Sequence, residues 1–131
     1  MAYVYSKVDD LEGTEKVGTK QCVALVQYYT NVPSTSKWTE GGVVMGDTSI
    51  ARGTVIATFV DGKYKSMATG NHAAFYLSQD ATGIRVMDQW ANDIAKPTVS
   101  SRLLRRMGKK KDGSFVDPSN NADAYSVVEG P

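Results

Sequence analysis

Residues Gly18-Thr19-Lys20-Gln21-Cys22-Val23-Ala24-Leu25-Val26-Gln27-Tyr28-Tyr29 hold the only cysteine of the chain, and their reading decides what the rest must build. Cys22, Leu25, Val26 and Tyr29 fall at i, i+3, i+4 and i+7, the spacing of one face of a helix. Gly18-Thr19 breaks the preceding segment, and Thr19 is expected to cap the helix N-terminus. Pro33 is expected to end the helix, because the residue before a proline is pushed out of the helical region. Cys22 then has two readings. On the apolar stripe it is a small packed hydrophobe, as most free cysteines are. At the first turn it is a nucleophile: the positive end of the helix dipole favours thiolate, and unsatisfied N–H groups can hold an oxyanion.

Upstream, Asp9-Asp10-Leu11-Glu12-Gly13 reads as a turn or short helix. Downstream, residues 34–53 read as loop, with Trp38 as an anchor and a Gly41-Gly42 pair. From Gly53 the texture becomes β. Thr54–Val60 is β-branched, Asp61-Gly62 is a hairpin-type turn, His72–Leu77 is the next strand, and Ala81-Thr82-Gly83 turns into Ile84–Trp90. Pro97 interrupts. Residues 100–123 are basic, then rich in Gly, Ser and Asn, and are expected to be mobile in part. Tyr125–Val128 is expected to be a last strand. One helix followed by an antiparallel meander is an α+β domain, and 131 residues are the size of one such unit, so residues 1–131 are expected to form a single domain.

Composition narrows the function. The chain is 41% hydrophobic and 22% charged, with a formal net charge of +1, which argues against a general polyanion binder and so against a nucleic-acid partner. No apolar run is long enough to cross a bilayer. The start, Met1–Lys7, lacks a basic region followed by an apolar stretch, so no secretory signal is expected. A single cysteine excludes an internal disulfide. Synthesis in the cytoplasm and a monomeric state are the expectations, with export by some route other than the general secretory pathway if the chain acts outside.

The chain has one cysteine and one histidine. Cys22 opens the helix, His72 opens a strand, and Asp88 sits near the end of the next strand. Helix, strand and neighbouring strand can supply a thiol nucleophile, its imidazole base and the carboxylate that orients the base. Each residue alone has a plainer reading: a packed thiol, a hydrogen-bonded structural histidine, a turn carboxylate. A zinc site is not indicated, because one cysteine, one histidine and scattered carboxylates lack paired ligand spacing. If Cys22 is simply core, the chain is a non-catalytic binding module, with the basic run Arg102, Arg105, Arg106, Lys109, Lys110 and Lys111 either a solvated loop or the contact surface.

Gln21-Cys22 opening an apolar helix, Asn71-His72-Ala73-Ala74 starting a strand and Val86-Met87-Asp88-Gln89-Trp90 ending the next resemble the NlpC/CHAP-type papain-like cysteine peptidases, mostly peptidoglycan amidases and endopeptidases. Gly53–Phe59 and Asp61-Gly62-Lys63-Tyr64 add a closer likeness to the type VI secretion amidase effectors, and within these to the second family. The likeness covers roughly residues 18–95. It implies a papain-like fold in which an N-terminal catalytic helix packs on a small antiparallel sheet, and cleavage of the crosslink between D-alanine and meso-diaminopimelate. It implies Cys22 as nucleophile, His72 as base, Asp88 as its orienting group, and an oxyanion hole from the Cys22 N–H with help from Gln21. Gln89 is the neighbouring candidate for the third position. An asparagine often serves there, so an amide at 88 is expected to be tolerated better than loss of His72. No cofactor is implied. The implied partners are peptidoglycan stem peptides, a cognate immunity protein and the type VI apparatus, which would carry the chain into the periplasm of target cells. A protein substrate stays open, because a triad does not encode the side chains it recognises. Trp38, Trp90, Tyr28, Tyr29 and Tyr64 are candidates to line the groove.

Overall fold

The computed structural model describes residues 2–131. The element that organises it is β2, Val55–Thr58, whose four residues are all buried. Successive side chains of a strand point to opposite faces, so burial of every one requires cover on both sides of the sheet. Val55 and Ala57 join Ala73, Phe75 and Leu77 of β3 (Ala73–Asp80) on one face, together with Leu25 and Val26. Ile56 joins Ala74 and Tyr76 on the other, with Ile84 and Val86 of β4 (Gly83–Asp88), Leu104 and Tyr125. Helix α1, Cys22–Tyr29, packs on β3 and closes the first face.

Six antiparallel strands are ordered β1-β6-β2-β3-β4-β5. The predicted helix, the three central strands and the last strand are all present, and β2 to β4 form the expected meander, which β5 extends by one strand. Four expectations are corrected. Thr19 does not cap α1. Gly18 and Lys20 both take left-handed φ values, 59° and 69°, and wind the chain once more before Gln21, the residue at the cap position. Pro33 does not end the helix. Thr30 does, its N–H and hydroxyl both donating to the Val26 carbonyl, at 3.2 and 2.7 Å.

Residues 34–53 are not all loop, since β1 spans Thr39–Val43. Its Gly41-Gly42 pair falls at a register shift against β6, Tyr125–Glu129, which removes the alternation a strand normally shows. A Cβ at Gly41 would collide with the Glu129 side chain. Trp38 is an anchor as expected, 3% exposed, its indole N–H donating to the Pro33 carbonyl at 2.8 Å.

The fourth correction is the 100–123 segment. Residues Ser100–Arg105 form strand β5, paired with β4 from Asp88↔Ser100 to Gly83↔Arg105. The strand was hidden because it lies at a sheet edge, where only Leu104 among its side chains is fully buried. The stretch beyond it is tied down by one buried side chain. Asn121 accepts from the Met107 and Asp123 N–H groups, each at 3.0 Å. Its amide donates to the Gly108 and Val116 carbonyls at 2.9 and 2.8 Å. The basic run is therefore divided. Arg102 and Arg105 lie on β5, Arg106 pairs with Asp123 at 2.8 Å, and Lys109–Lys111 enter a tight turn closed by the Lys109↔Phe115 bridge.

Asn121→Ala strands three backbone groups at once, the Met107 and Asp123 N–H groups and the Val116 carbonyl, since the Gly108 carbonyl keeps the Val116 N–H. It is expected to destabilise the protein by about 2–4 kcal/mol, against about 0.5 kcal/mol or less for Lys110→Ala at the turn, as read from urea unfolding midpoints.

Candidate active site

Two separate pieces of local structure bring the predicted residues together. Because β3 and β4 run antiparallel, the start of one lies beside the end of the other. His72, just before β3, meets Asp88, the last residue of β4, with Nε2 2.8 Å from Oδ2. The His72 backbone is clamped to β2: its N–H donates to the Thr58 hydroxyl, and its carbonyl accepts from the Thr58 N–H, each at 3.0 Å. Nε2 is committed to Asp88, which leaves Nδ1 for the thiol. Cys22 opens α1, hydrogen-bonds His72, and also receives the Ala73 backbone N–H. The structure thus brings Cys22, His72 and Asp88 into one line, with Cys22 half-buried rather than sealed in the core.

The thiol lies in a cleft of about 530 Å³ lined by Gln21, Tyr64, Asn71, His72 and Trp90 among others. Of the five aromatic candidates only Tyr64 and Trp90 reach it. Trp38 is core and packs on Tyr64, ring centres 4.9 Å apart, and Tyr29 stacks on Tyr5 at 4.9 Å. Tyr28 lies on the surface. The Tyr64 hydroxyl is 3.6 Å from Cys22 Sγ.

Burial pushes the Cys22 thiol up, but the hydrogen bond and charge of His72, followed by the Tyr64 and Ala73 hydrogen bonds, more than offset it and lower the thiol to about 7. Burial pulls His72 down, and the hydrogen bonds from Asp88 and Cys22, then their charges, carry it above its ordinary value. Each shift favours thiolate beside imidazolium. Tyr64 is held well above its ordinary value by burial and then by Cys22, so it keeps its proton and can only donate to an anion.

Asp88 is fully buried and does more than orient a ring. Lys96 Nζ lies 2.8 Å from its Oδ1, and Arg102 Nε 2.7 Å from its Oδ2. Burial raises its pKa, and His72, Arg102 and Lys96 lower it further, to about 2. Lys96, 6% exposed, also donates to the Ser100 hydroxyl and carbonyl, at 2.7 and 3.1 Å. The Trp90 ring is flanked by Lys96 at 4.7 Å and Arg102 at 4.8 Å, and meets His72 edge-on at 6.1 Å. It roofs the His72–Asp88 contact.

Gln89 is not a partner of His72. Fully buried, it accepts from the Val17 N–H at 3.0 Å and donates to the Val17 and Gln21 carbonyls at 3.1 and 2.8 Å. It fixes the turn that delivers Cys22. Lys96 was missed because buried lysines are rare and nothing in the Asn92–Pro97 loop marks one. Arg102 was read with the basic run. Placing β5 against β4 would have put it beside Asp88.

Two outcomes follow from this electrostatics. Iodoacetamide should alkylate native Cys22 with a midpoint near pH 7, against ~8.5 for a free thiol, and His72→Ala should move that midpoint upward by removing the cationic partner. The pH profile of the alkylation rate measures both. Asp88→Asn should not be mild, because it strands Lys96 and Arg102 as well as the imidazole. A loss on the order of 3 kcal/mol is expected, partly recovered in Asp88→Asn/Lys96→Met, and urea unfolding of the two variants measures it.

A family model described as domesticated amidase effector 2 matches residues 2–128. The "Type VI secretion amidase effector 2 protein" of Salmonella typhi is 51% identical over 133 residues, covering 98% of this chain and 100% of the relative. The "Domesticated amidase effector 2" of Ixodes scapularis is 35% identical over 121 residues, covering 86% of this chain and 73% of the relative. A solved "Type 6 secretion amidase effector 2" superposes with a TM-score of 0.92 at 50% identity, over 98% of this chain and 95% of that one. A thiol, imidazole and carboxylate aligned at the junction of helix and sheet, on a fold this close, leave one assignment: the chain belongs to the amidase effector 2 family, in the NlpC/CHAP-like, papain-like class.

Proposed function

We propose that the chain is a cysteine amidase that opens stem-peptide amide bonds of peptidoglycan, at the crosslink between D-alanine and meso-diaminopimelate. In this reading it is an antibacterial effector that a type VI system delivers from the producing cytoplasm to the periplasm of a target cell, and a cognate immunity protein restrains it. The observation that carries the chemistry is geometric: the half-buried Cys22 thiol shares an open cleft with His72, whose far ring nitrogen is held 2.8 Å from Asp88. A non-catalytic module would have no use for that arrangement. The relatives' names support the amidase activity and the secretion route.

The steps use only groups in the cleft. The Cys22 thiolate attacks the amide carbonyl carbon, and the carbonyl electron pair moves onto oxygen. The Cys22 and Val23 N–H groups, at the first turn of α1 where donors lack intrahelical acceptors, and the protonated Tyr64 hydroxyl would hold that oxyanion. Imidazolium at His72 gives its proton to the departing nitrogen as the C–N bond breaks, leaving a thioester on Cys22. Neutral His72 then takes a proton from water, whose oxygen attacks the thioester. Release of the carboxylate product restores thiolate and imidazolium. Asp88 stays ionised throughout, since its carboxyl titrates near 2.

Digestion of purified Gram-negative sacculi, with the fragments identified by mass spectrometry, tests this directly. Loss of crosslinked dimers and appearance of monomers with free D-alanine carboxyl ends is the expected result. Cys22→Ala should abolish the release by ~10⁴-fold or more while changing stability by about 1 kcal/mol or less. Hydrolysis retained by folded Cys22→Ala protein would end the cysteine mechanism.

A further inference from the structure

His72 and Trp90 form a ridge between two clefts. The first holds Cys22. The second, about 330 Å³, shares Asn71, His72 and Trp90 with it and adds Arg102, Ser119 and Asn120. Cys22 is not among its walls. The proton delivered to the leaving nitrogen comes from His72, so that nitrogen must sit over the imidazole. The acyl half of the substrate stays on the thiol, in the first cleft. The amine half therefore leaves over the ridge, toward the second.

Arg102 is prepared to meet something there. Its Nε is committed to Asp88 at 2.7 Å. One terminal nitrogen donates to Asn120 Oδ1 at 2.8 Å, and the other reaches the Ser119 carbonyl at 3.4 Å. A guanidinium carries five N–H donors, so two remain, one on each terminal nitrogen. The side chain is 23% exposed, and it borders this cleft. Asp88 shares its single charge with Lys96 and His72 as well, and so does not neutralise Arg102 alone. Stacking on Trp90 and the Asn120 contact hold the fork in place, so little side-chain entropy is lost on binding.

We propose that the second cleft is the subsite for the amine half of the substrate, and that Arg102 there binds a carboxylate carried on the carbon that bears the departing nitrogen. The inference rests on the peptidoglycan reading above and adds a rule of selection to it. In the crosslink, the carbon next to the cleaved nitrogen carries a free carboxylate. In an interior bond of a protein chain that carbon carries another amide, which is neutral and offers Arg102 no anion. A reader of that carboxylate separates the wall crosslink from ordinary polypeptide, a distinction that Cys22 and His72 cannot make.

The test uses two purified crosslinked muropeptide dimers that differ only in this group, free carboxylate in one and carboxamide in the other. The wild-type protein should cleave the acid with a kcat/KM roughly ten-fold or more above the amide, the scale of a charge-assisted hydrogen bond. Arg102→Gln should bring that ratio close to one, whatever it does to absolute rates through Asp88. Equal wild-type rates on the two dimers would overturn the subsite and leave the amidase reading standing, and this comparison needs no variant to fold. A preference that survives in Arg102→Gln would overturn Arg102 as the reader. Cleavage of neither dimer by the wild-type protein would overturn the amidase reading itself and this inference with it.

Discussion

A carboxylate taken out of water must be met by opposite charge from every side, and in this protein that requirement falls on Asp88. Its cations come from three different places: His72 at the start of β3, Lys96 from the loop after β4, and Arg102 from the middle of β5. Pairing of β3 and β5 with β4 brings two of them alongside, and the Lys96 ammonium, which also donates to Ser100 of β5, completes the set. The same carboxylate fixes which imidazole nitrogen faces the thiol and ties the edge strand to the active site. Removing the carboxylate leaves Lys96, Arg102 and the buried imidazole without the anion they share.

Asp88 and Gln89 are consecutive, and each positions one half of the candidate site. Asp88 holds the imidazole of His72. Gln89 holds the Val17–Gln21 turn that leads into Cys22. The separation of thiol and imidazole is thereby referred to a single peptide unit at the end of β4. Thr58 and Ala73 refine it from the other side, the first by pinning the His72 backbone and the second by pointing its N–H at sulfur.

The parts of this arrangement that could be read in the sequence are those with a local signature. The helical spacing of Cys22, Leu25, Val26 and Tyr29, the β-branched run at 54–60 and the turn at 81–83 each declare themselves within a few residues. So did the pairing of one cysteine with one histidine on helix and strand. What stayed hidden depends on partners distant in sequence. β1 is interrupted by a glycine pair, of which Gly41 is required by the Glu129 side chain of β6. β5 looks like a solvated basic stretch until β4 lies beside it. Lys96 has no reason to be buried except Asp88. Trp90 and Tyr64 were recognisable as aromatics, but only the folded chain separates them from Trp38, which is core, and Tyr29, which is half-buried against Tyr5.

The sheet order has a consequence for how the protein comes into being. Strand β6 is the latest of the six to be synthesised, yet it lies between β1 and β2. While the nascent chain is emerging, the meander from β2 to β5 can assemble, with Cys22, His72 and Asp88 already translated. The edge of β2 that β6 will occupy is met only at Val55, by the Tyr3 carbonyl, and β1 has nothing to pair with, until residues 125–129 arrive. Contacts between such distant segments form slowly, because a long loop must close before they return any energy. Strand β6 must therefore enter the middle of the sheet, between two strands that are both translated before it.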